Sequence, residues 1–598
     1  MRILLIGSGG REHALAWKIS QSPRLTALYA SPGSDAISEL AICVALEGNK
    51  AIADFAEKEK IDLTVVGPEA PLVEGLVDEL QSRGLLAFGP TQAAAQLEGS
   101  KAFSKEFMRR HNIPTAGFHT FDSEEQALAH VQANPGPCVV KADGLAAGKG
   151  VILCEDGPQA EQAIQSIMVD HAFGEAGTRI VVEEWLRGEE ASYFAVCDGK
   201  DYIAFPTAQD HKPIGELDTG LNTGGMGAYC PAPIVTEEMA QQVRREVVET
   251  TLRGMAAEGN PYQGVLYVGL MIVNGVPYVL EYNCRFGDPE CQPLMMMLES
   301  DLLEILEAAA KGAISGVSPH WRKGAAACIV MASGGYPGAY PKGIPIQGLT
   351  PKGGAQTASK PEKDCKVFHA GTSRKDQDWV TNGGRVLGIT AWGKNLSQAL
   401  TTGYNTLAGI NWNEAAYRRD IGLKGLKRMA ENRPDINVGI VLGSASDMEV
   451  ADKVTSHLEK LGIRYELAVA SAHRTPERVR KFISACTDGG AEVFIAIAGM
   501  AAALPGVVAA ETTLPVIGVP VKSSAFEGLD ALLSIAQMPP GIPVATVAVN
   551  GGVNAALLAA SILSVKYQDV SANLKEFRIE QAQKIAEAHT KAGLSSLV

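Results

Sequence analysis

The residues best placed to do chemistry begin with a lysine inside a strand pattern, Val139-Val140-Lys141-Ala142, followed at once by the glycine-rich loop Gly144–Gly150. Gly148, Lys149 and Gly150 can fold over an anion, offering backbone N–H groups and a point charge to phosphates without a Walker P-loop. Lys105, on a preceding helix, adds a third cation. A lone Gly-Lys-Gly is more often a surface turn, and the strand lysine beside it shifts the balance. Farther along, Glu281-Tyr282-Asn283-Cys284-Arg285 places Glu281, Asn283 and Arg285 on one face of a strand. A carboxylate and an amide oxygen are hard ligands suited to Mg²⁺, with Mn²⁺ an alternative, and Arg285 can hold a phosphoryl oxygen in its fork.

Three further turns have the same character. Gly7-Ser8-Gly9-Gly10-Arg11-Glu12 lies between a strand and a helix, so Gly9 and Gly10 can present a helix N-terminus to an anionic group. The third glycine of G-x-G-x-x-G is replaced by Glu12, which leaves a nicotinamide dehydrogenase as a weak runner-up. Gly443-Ser444-Ala445-Ser446-Asp447 opens a helix after a strand, and Ser444, Ser446 and Asp447 form a phosphate cradle or, for Asp447, a simple N-cap. Ser471-Ala472-His473-Arg474 follows the next strand, at the edge where open α/β sheets collect ligands. A histidine beside an arginine suits acid–base work near a phosphate.

These residues need elements to hold them. Arg2–Ile6 and Leu63–Val66 read as buried strands, Glu12–Ser20 as a helix, and Cys138–Ala142 as the strand under the glycine loop. From about 180 to 285 the pattern is mainly antiparallel, with strands at Ile180–Glu183, Val265–Val273 and Tyr278–Tyr282. Residues from about 325 to 425 form another β-rich unit. The helical pattern Lys424–Ala430 ends in polar Glu431-Asn432-Arg433-Pro434-Asp435, after which strand–helix units restart at Asn437–Leu442 and Met448–Leu461. The chain is thus α/β and α+β multidomain: 1–100 Rossmann-like, 101–325 and 326–430 completing a first enzyme, 431–436 a linker, and 437–598 a doubly wound parallel α/β domain of flavodoxin type.

At 598 residues the chain has room for about four domains, at roughly 150 residues each. A net charge of −14 argues against general attraction to nucleic acid or anionic membrane, so phosphates need local devices. The ten cysteines show no metal-knuckle spacing, and no apolar run reaches the ~20 residues that span a bilayer. A cytoplasmic protein that starts directly with a strand is the expectation.

Lys105, Lys141–Gly150, Glu183-Glu184-Trp185-Leu186-x-Gly188-x-Glu190 and Glu281–Asn283 together resemble the ATP-grasp ligases. Gly7–His13, Gly67-Pro68-Glu69-Ala70-Pro71-Leu72, Gln209-Asp210-His211-Lys212, Asn222–Gly227 and Arg285-Phe286-Gly287-Asp288-Pro289-Glu290 narrow the resemblance to the phosphoribosylamine–glycine ligases, over roughly residues 1–425. The second unit resembles class I N5-carboxyaminoimidazole ribonucleotide mutases over about 437–565, through Ala502-Ala503-Leu504-Pro505-Gly506 and Gln537-Met538-Pro539 besides the two turns above. It departs at Met500 and Ala503, where that family's loop carries glycine and histidine.

The first resemblance implies that glycine's carboxylate is phosphorylated by ATP and that the amine of phosphoribosylamine attacks the glycyl phosphate, giving glycinamide ribonucleotide. Glu183, Glu184 and Glu190 would serve ATP beside the lysines, and Glu281 and Asn283 the Mg²⁺. Glu69, Asp210, Lys212, Asn222, Gly224, Gly225 and Asp288 would line the glycine and ribosylamine pocket. The second resemblance implies transfer of a carboxylate from nitrogen to ring carbon C4 without cofactor. His473 would move the C4 proton, while Ser444, Ser446, Asp447, Ser471 and Arg474 hold the ribonucleotide. Direct carboxylation of aminoimidazole ribonucleotide by CO₂ is the alternative. The partners implied are these small molecules and further copies of the chain, an octamer through 437–598. A nucleotide-sensing scaffold would tolerate loss of Lys141, Glu281 or His473, and all three are present.

Overall fold

The computed structural model describes residues 1–145, 150–356, 360–431 and 436–592, which form two compact units, Met1–Ala430 and Glu431–Val598. Gly148, Lys149 and residues 432–435 of the anticipated linker lie outside the described residues.

The first unit opens with a five-stranded parallel sheet in the order Ile42–Cys43, Ala27–Pro32, Arg2–Gly7, Leu63–Val66, Ala87–Phe88. Its central strand reads Ile3-Leu4-Leu5 without an exposed atom, because helices cover both faces of a parallel sheet. Two four-stranded antiparallel sheets follow. One joins Phe118–Phe121, Ile180–Glu184, Cys138–Ala142 and Val151–Cys154; the other joins Tyr202–Ala204, Glu189–Asp198, Gln263–Val273 and Val276–Asn283. The first carries Lys141 and Glu183, the second Glu190, Glu281 and Asn283.

The β-rich unit expected from about 325 to 425 forms a five-stranded antiparallel sheet, but two of its strands were not legible from the sequence. Ala325–Ala332, Arg385–Gly393 and Cys365–His369 are joined there by Gln209–Asp210 and Gly227–Cys230, which come from the middle of the preceding segment. The stretch carrying Asp210, Lys212 and Asn222–Gly225 is therefore anchored to strands that follow it by about a hundred residues.

The second unit is a parallel sheet in the order Tyr465–Val469, Val438–Leu442, Val493–Gly499, Val516–Val521, Ala545–Thr546. That 2-1-3-4-5 order is the flavodoxin-like one, with its topological switch between the first and third strands. Helices Met448–Lys460 and Gly552–Leu563 seal one face with Val450, Val454, Leu458, Ala556 and Ala560, all buried. The polar helical tail is Gln568–Lys591.

Candidate active sites

In the first unit two of the three lysines of the sequence reading, Lys105 and Lys141, meet through a carboxylate. Lys105 Nζ lies 2.9 Å from Glu183 Oε2 and Lys141 Nζ lies 2.9 Å from Glu183 Oε1. All three side chains are at most 7 % exposed. The register makes this possible: Val139 faces Glu183 across the antiparallel pair, so Lys141 is its diagonal neighbour on the same face. Burial lowers the Lys105 ammonium to about 8, against the opposing pull of Glu183. Burial pushes the Glu183 carboxyl up, but the two lysines outweigh it and hold it below the usual carboxylate range.

Glu281 and Asn283 do share a face, directly across from Gly269 and Tyr267. Burial pushes the Glu281 carboxyl up, and Lys212, Lys141, Lys101 and Arg285 together bring it below its ordinary value, so it stands ionised. Among the described residues no cluster of three or more His, Cys, Asp or Glu could hold a metal alone. A hard carboxylate beside a hard amide oxygen still fits Mg²⁺, which keeps waters and substrate phosphates as its other ligands.

Arg285 lies beyond the end of that strand and is more occupied than its sequence position suggested. Its guanidinium meets Glu98 at 2.8 Å and Glu69 at 3.2 Å, and it donates to Asn283 Oδ1 at 3.1 Å. Glu98 went unremarked in the sequence, since a helix glutamate has no local signal for a partner 187 positions away. Asp210 and Glu190 both pair with Lys212. Glu184, next to the buried Glu183, is exposed.

Sequence reasoning also missed Arg385. Its guanidinium donates to the carbonyls of Gly224 and Asp288, each at 2.5 Å, and lies 3.3 Å from Asp288 Oδ2. Gly224 N–H donates to Tyr336 Oη at 3.2 Å. The turn leaves no room for side chains: a Cβ on Gly224 would stand 3.0 Å from the guanidinium carbon, and Gly225 has φ +109°. A strand residue and a turn residue from more than a hundred positions later make these contacts, so no local pattern betrays them.

At the first glycine turn Glu12 takes the first free N–H of the helix. Glu12 folds back so that its carboxylate accepts from Gly9 N–H at 2.7 Å and from Arg11 Nε at 2.5 Å. It fills the place where a pyrophosphate would meet the helix N-terminus. A Cβ at Gly67 would lie 2.5 Å from Glu12 Oε1, so this turn is fitted around the carboxylate. Gly9 and Gly10 face Asp288 and Gln292 instead. Glu12→Ala would leave the buried Arg11 with only the Phe286 carbonyl and a more distant Glu69 and would unmake the cap, and thermal or urea unfolding should show a loss of about 1–3 kcal/mol.

In the second unit, Ser444 and Ser471 follow neighbouring parallel strands whose last residues, Leu442 and Val469, are register partners. Ser446 Oγ donates to Ser444 Oγ at 3.0 Å and to Asp447 Oδ1 at 3.2 Å. Burial raises the Asp447 carboxyl. Ser471 Oγ accepts from Arg474 N–H at 3.3 Å. His473 and Arg474 are exposed. Met500 sits at φ +55° and is 70 % exposed, a left-handed backbone that ordinarily favours glycine.

The comparisons with known proteins agree with this division. The N, ATP-grasp and C domain models of phosphoribosylglycinamide synthetase match residues 1–98, 99–291 and 326–424. Phosphoribosylamine–glycine ligase of Vibrio cholerae is 51% identical over 433 residues, which is 72% of this chain and 99% of that protein. The chain belongs to the phosphoribosylamine–glycine ligase family. The Agrobacterium fabrum ligase is 50% identical over 430 residues, again 72% of this chain and 99% of the relative. Among solved structures, the Thermotoga maritima ligase superposes with a TM-score of 0.61 at 31% identity, covering 70% of this chain and all of that one. A biotin carboxylase domain from Hydrogenobacter thermophilus, solved with MgADP and bicarbonate, shares the fold at 16% identity, with a TM-score of 0.54 over 70% of this chain and 91% of its own. The AIR carboxylase family model matches residues 437–584. This ligase therefore carries a second enzyme-family domain behind it. No helix among the described residues is long and apolar enough to cross a membrane.

Proposed function

We propose that the first unit joins glycine to 5-phosphoribosylamine at the expense of ATP, by way of glycyl phosphate, and that the second converts N5-carboxyaminoimidazole ribonucleotide to the 4-carboxy isomer. The observation that supports the ligase reading most is the buried Lys105–Glu183–Lys141 set together with the carboxylate–amide face of Glu281 and Asn283. ATP would enter at the lysines, with Lys105 and Lys141 exchanging part of their contact to Glu183 for phosphate oxygens, and with Glu184, Glu190, Gly148, Lys149 and Gly150 as further ATP contacts. Glu281 and Asn283 would hold Mg²⁺, which when bound neutralises phosphate charge. Gly9, Gly10, Glu69, Asp210, Lys212, Asn222, Gly224, Gly225 and Asp288 would bind glycine and the ribosylamine, with Arg285 beside the transferred phosphoryl group. The domains would divide at 1–100, 101–325 and 326–430, with a linker at 431–436 and the mutase from 437 to 598.

The pH dependence tests the lysine assignment. Lys105 titrates at about 8, so nucleotide affinity should fall as pH rises through that value. The stability term runs the other way. Lys105 is depressed from 10.5, so the unfolded chain binds this proton more tightly between about 8 and 10.5 and folding gains as pH rises through that window. Titration calorimetry with ADP from pH 7 to 9.5 checks the affinity; a flat profile would remove Lys105 from the nucleotide site.

For the second unit, the paired Ser444 and Ser471 turns support a ribonucleotide phosphate site, and Arg474-Thr475-Pro476 with Gln537-Met538-Pro539 support the mutase. Met500 and Ala503 give direct carboxylation its standing as the second reading. Incubation with N5-carboxyaminoimidazole ribonucleotide, and separately with aminoimidazole ribonucleotide plus bicarbonate, decides between them. Product from the first mixture alone is expected. We further propose an octamer through 437–598, since Phe526, Leu529, Leu533 and Val565 are 66, 56, 47 and 90 % exposed. A monomer in light scattering would sink it.

A further inference from the structure

Among the described residues of the ligase unit two buried carboxylates make no ion pair: Asp198, which accepts from the backbone N–H groups of Lys200, Asp201 and Ile314, and Glu290. Glu69 and Glu98 are held by Arg285, Asp288 by Arg385, Glu183 by two lysines, and Asp210 and Glu190 by Lys212. Glu281 is assigned to Mg²⁺. Glu290 is 3 % exposed and, among the described residues, makes no ion pair; its carboxylate accepts from Tyr267 Oη at 2.6 Å. Tyr267 in turn lies 3.0 Å from Ser192 Oγ.

The place of Glu290 matters as much as its lack of a cation. Tyr267 is the cross-strand partner of Asn283, so its side chain rises from the same face as Glu281 and Asn283. Glu290 heads the helix Cys291–Met297, and its carboxylate folds back over Gly287, where a Cβ would stand 2.5 Å from Oε2. Only glycine at 287 leaves that space. The charged and titratable groups that act on Glu290 are Asp210, Lys212, Tyr267, Arg285, Cys291 and Cys328. Burial, followed by the Asp210 charge, raises its carboxyl to about 7. A base poised near neutrality is what proton abstraction from an amine requires.

We propose that Glu290 takes the proton from the amine of phosphoribosylamine as that amine attacks glycyl phosphate. The inference rests on the acyl-phosphate reading above. The amine nitrogen forms a bond to the glycyl carbonyl carbon, and its proton passes to a Glu290 carboxylate oxygen. The carbon–oxygen bond to the phosphoryl group breaks, and phosphate departs with the electron pair. Tyr267 positions the carboxylate by donating to it and favours its ionised form against burial and Asp210.

The first half of the reaction should survive without Glu290, and this is the test. Exchange of oxygen between the bridge and non-bridge positions of labelled ATP, with glycine and phosphoribosylamine present, reads glycyl phosphate formation. Full turnover reads the amine attack. In Glu290→Gln, turnover should fall about 100-fold or more while exchange persists, and the acidic limb of the kcat/KM profile near neutral pH should disappear. Exchange lost together with turnover, or turnover within threefold of wild type, overturns the proposal. Absence in both proteins of exchange and of a rapid-quench burst of ADP would instead remove the acyl phosphate, and the reading beneath with it. Tyr267→Phe keeps the ring and deletes only the donor, so the limb should move to higher pH. An unmoved limb counts against Glu290 as the base.

Discussion

Replacing Lys141 by Met should lower ligase kcat/KM by about 10²–10³-fold, the cost of removing one preorganised charge from a site where phosphoryl charge develops. The change also acts on the fold. Glu183 is 3 % exposed and shared between two ammonium groups, so the variant leaves it with Lys105 alone. Breaking a buried pair outright costs roughly 3–5 kcal/mol, and the surviving lysine should hold the loss to about half of that. Activity measured well below the new melting temperature separates the two effects. A ligase within tenfold of wild type would mean that Lys141 is only Glu183's structural partner. The second unit serves as an internal control, because the conversion of carboxyaminoimidazole ribonucleotide proposed for it should be unchanged.

His473→Asn should abolish most of that conversion, by about 10²–10⁴-fold if the imidazole moves the C4 proton. The expectation on stability is the reverse of that for Lys141. His473 is exposed, so its replacement should leave the melting temperature within the ~0.5 kcal/mol usual for surface changes. Retained conversion would shift the proton transfer to another group and make His473 a surface residue. Ligase turnover in the same preparation should stay at its wild-type value.

Strand alternation was enough to place Glu281 on one face with Asn283, and strand-end turns were enough to set Ser444 and Ser471 after neighbouring strands, because both follow from periods of two and from parallel register. The Gly224–Gly225 turn was legible as a turn, not as one clamped by Arg385. Glu98 and Glu290 were silent for the same reason: each takes its meaning from partners far off in the chain. Glu290 stood within a segment quoted for its resemblance, yet nothing local distinguished it from Asp288 two residues earlier. The replacement of glycine by Glu12 was read as a flaw in a dinucleotide turn, whereas the carboxylate completes the turn by capping it. Sequence spacing reports which side chains share a face; which carboxylate meets a cation is settled by tertiary packing.

The strands Gln209–Asp210 and Gly227–Cys230 add a constraint on how the molecule is made. Their sheet partners, Ala325–Ala332 and beyond, leave the ribosome about a hundred residues later, some 5–20 s at ordinary rates of synthesis. Until then, the segment bearing Asp210 and Lys212 has an unpaired edge and the ligase pocket has no wall. The nascent chain must wait with one pocket unfinished, while the domain behind it contributes no strand to that sheet. Ribosome-bound chains stalled at residue 325 should therefore be sensitive to protease between 209 and 230, and chains extended past 430 should resist it.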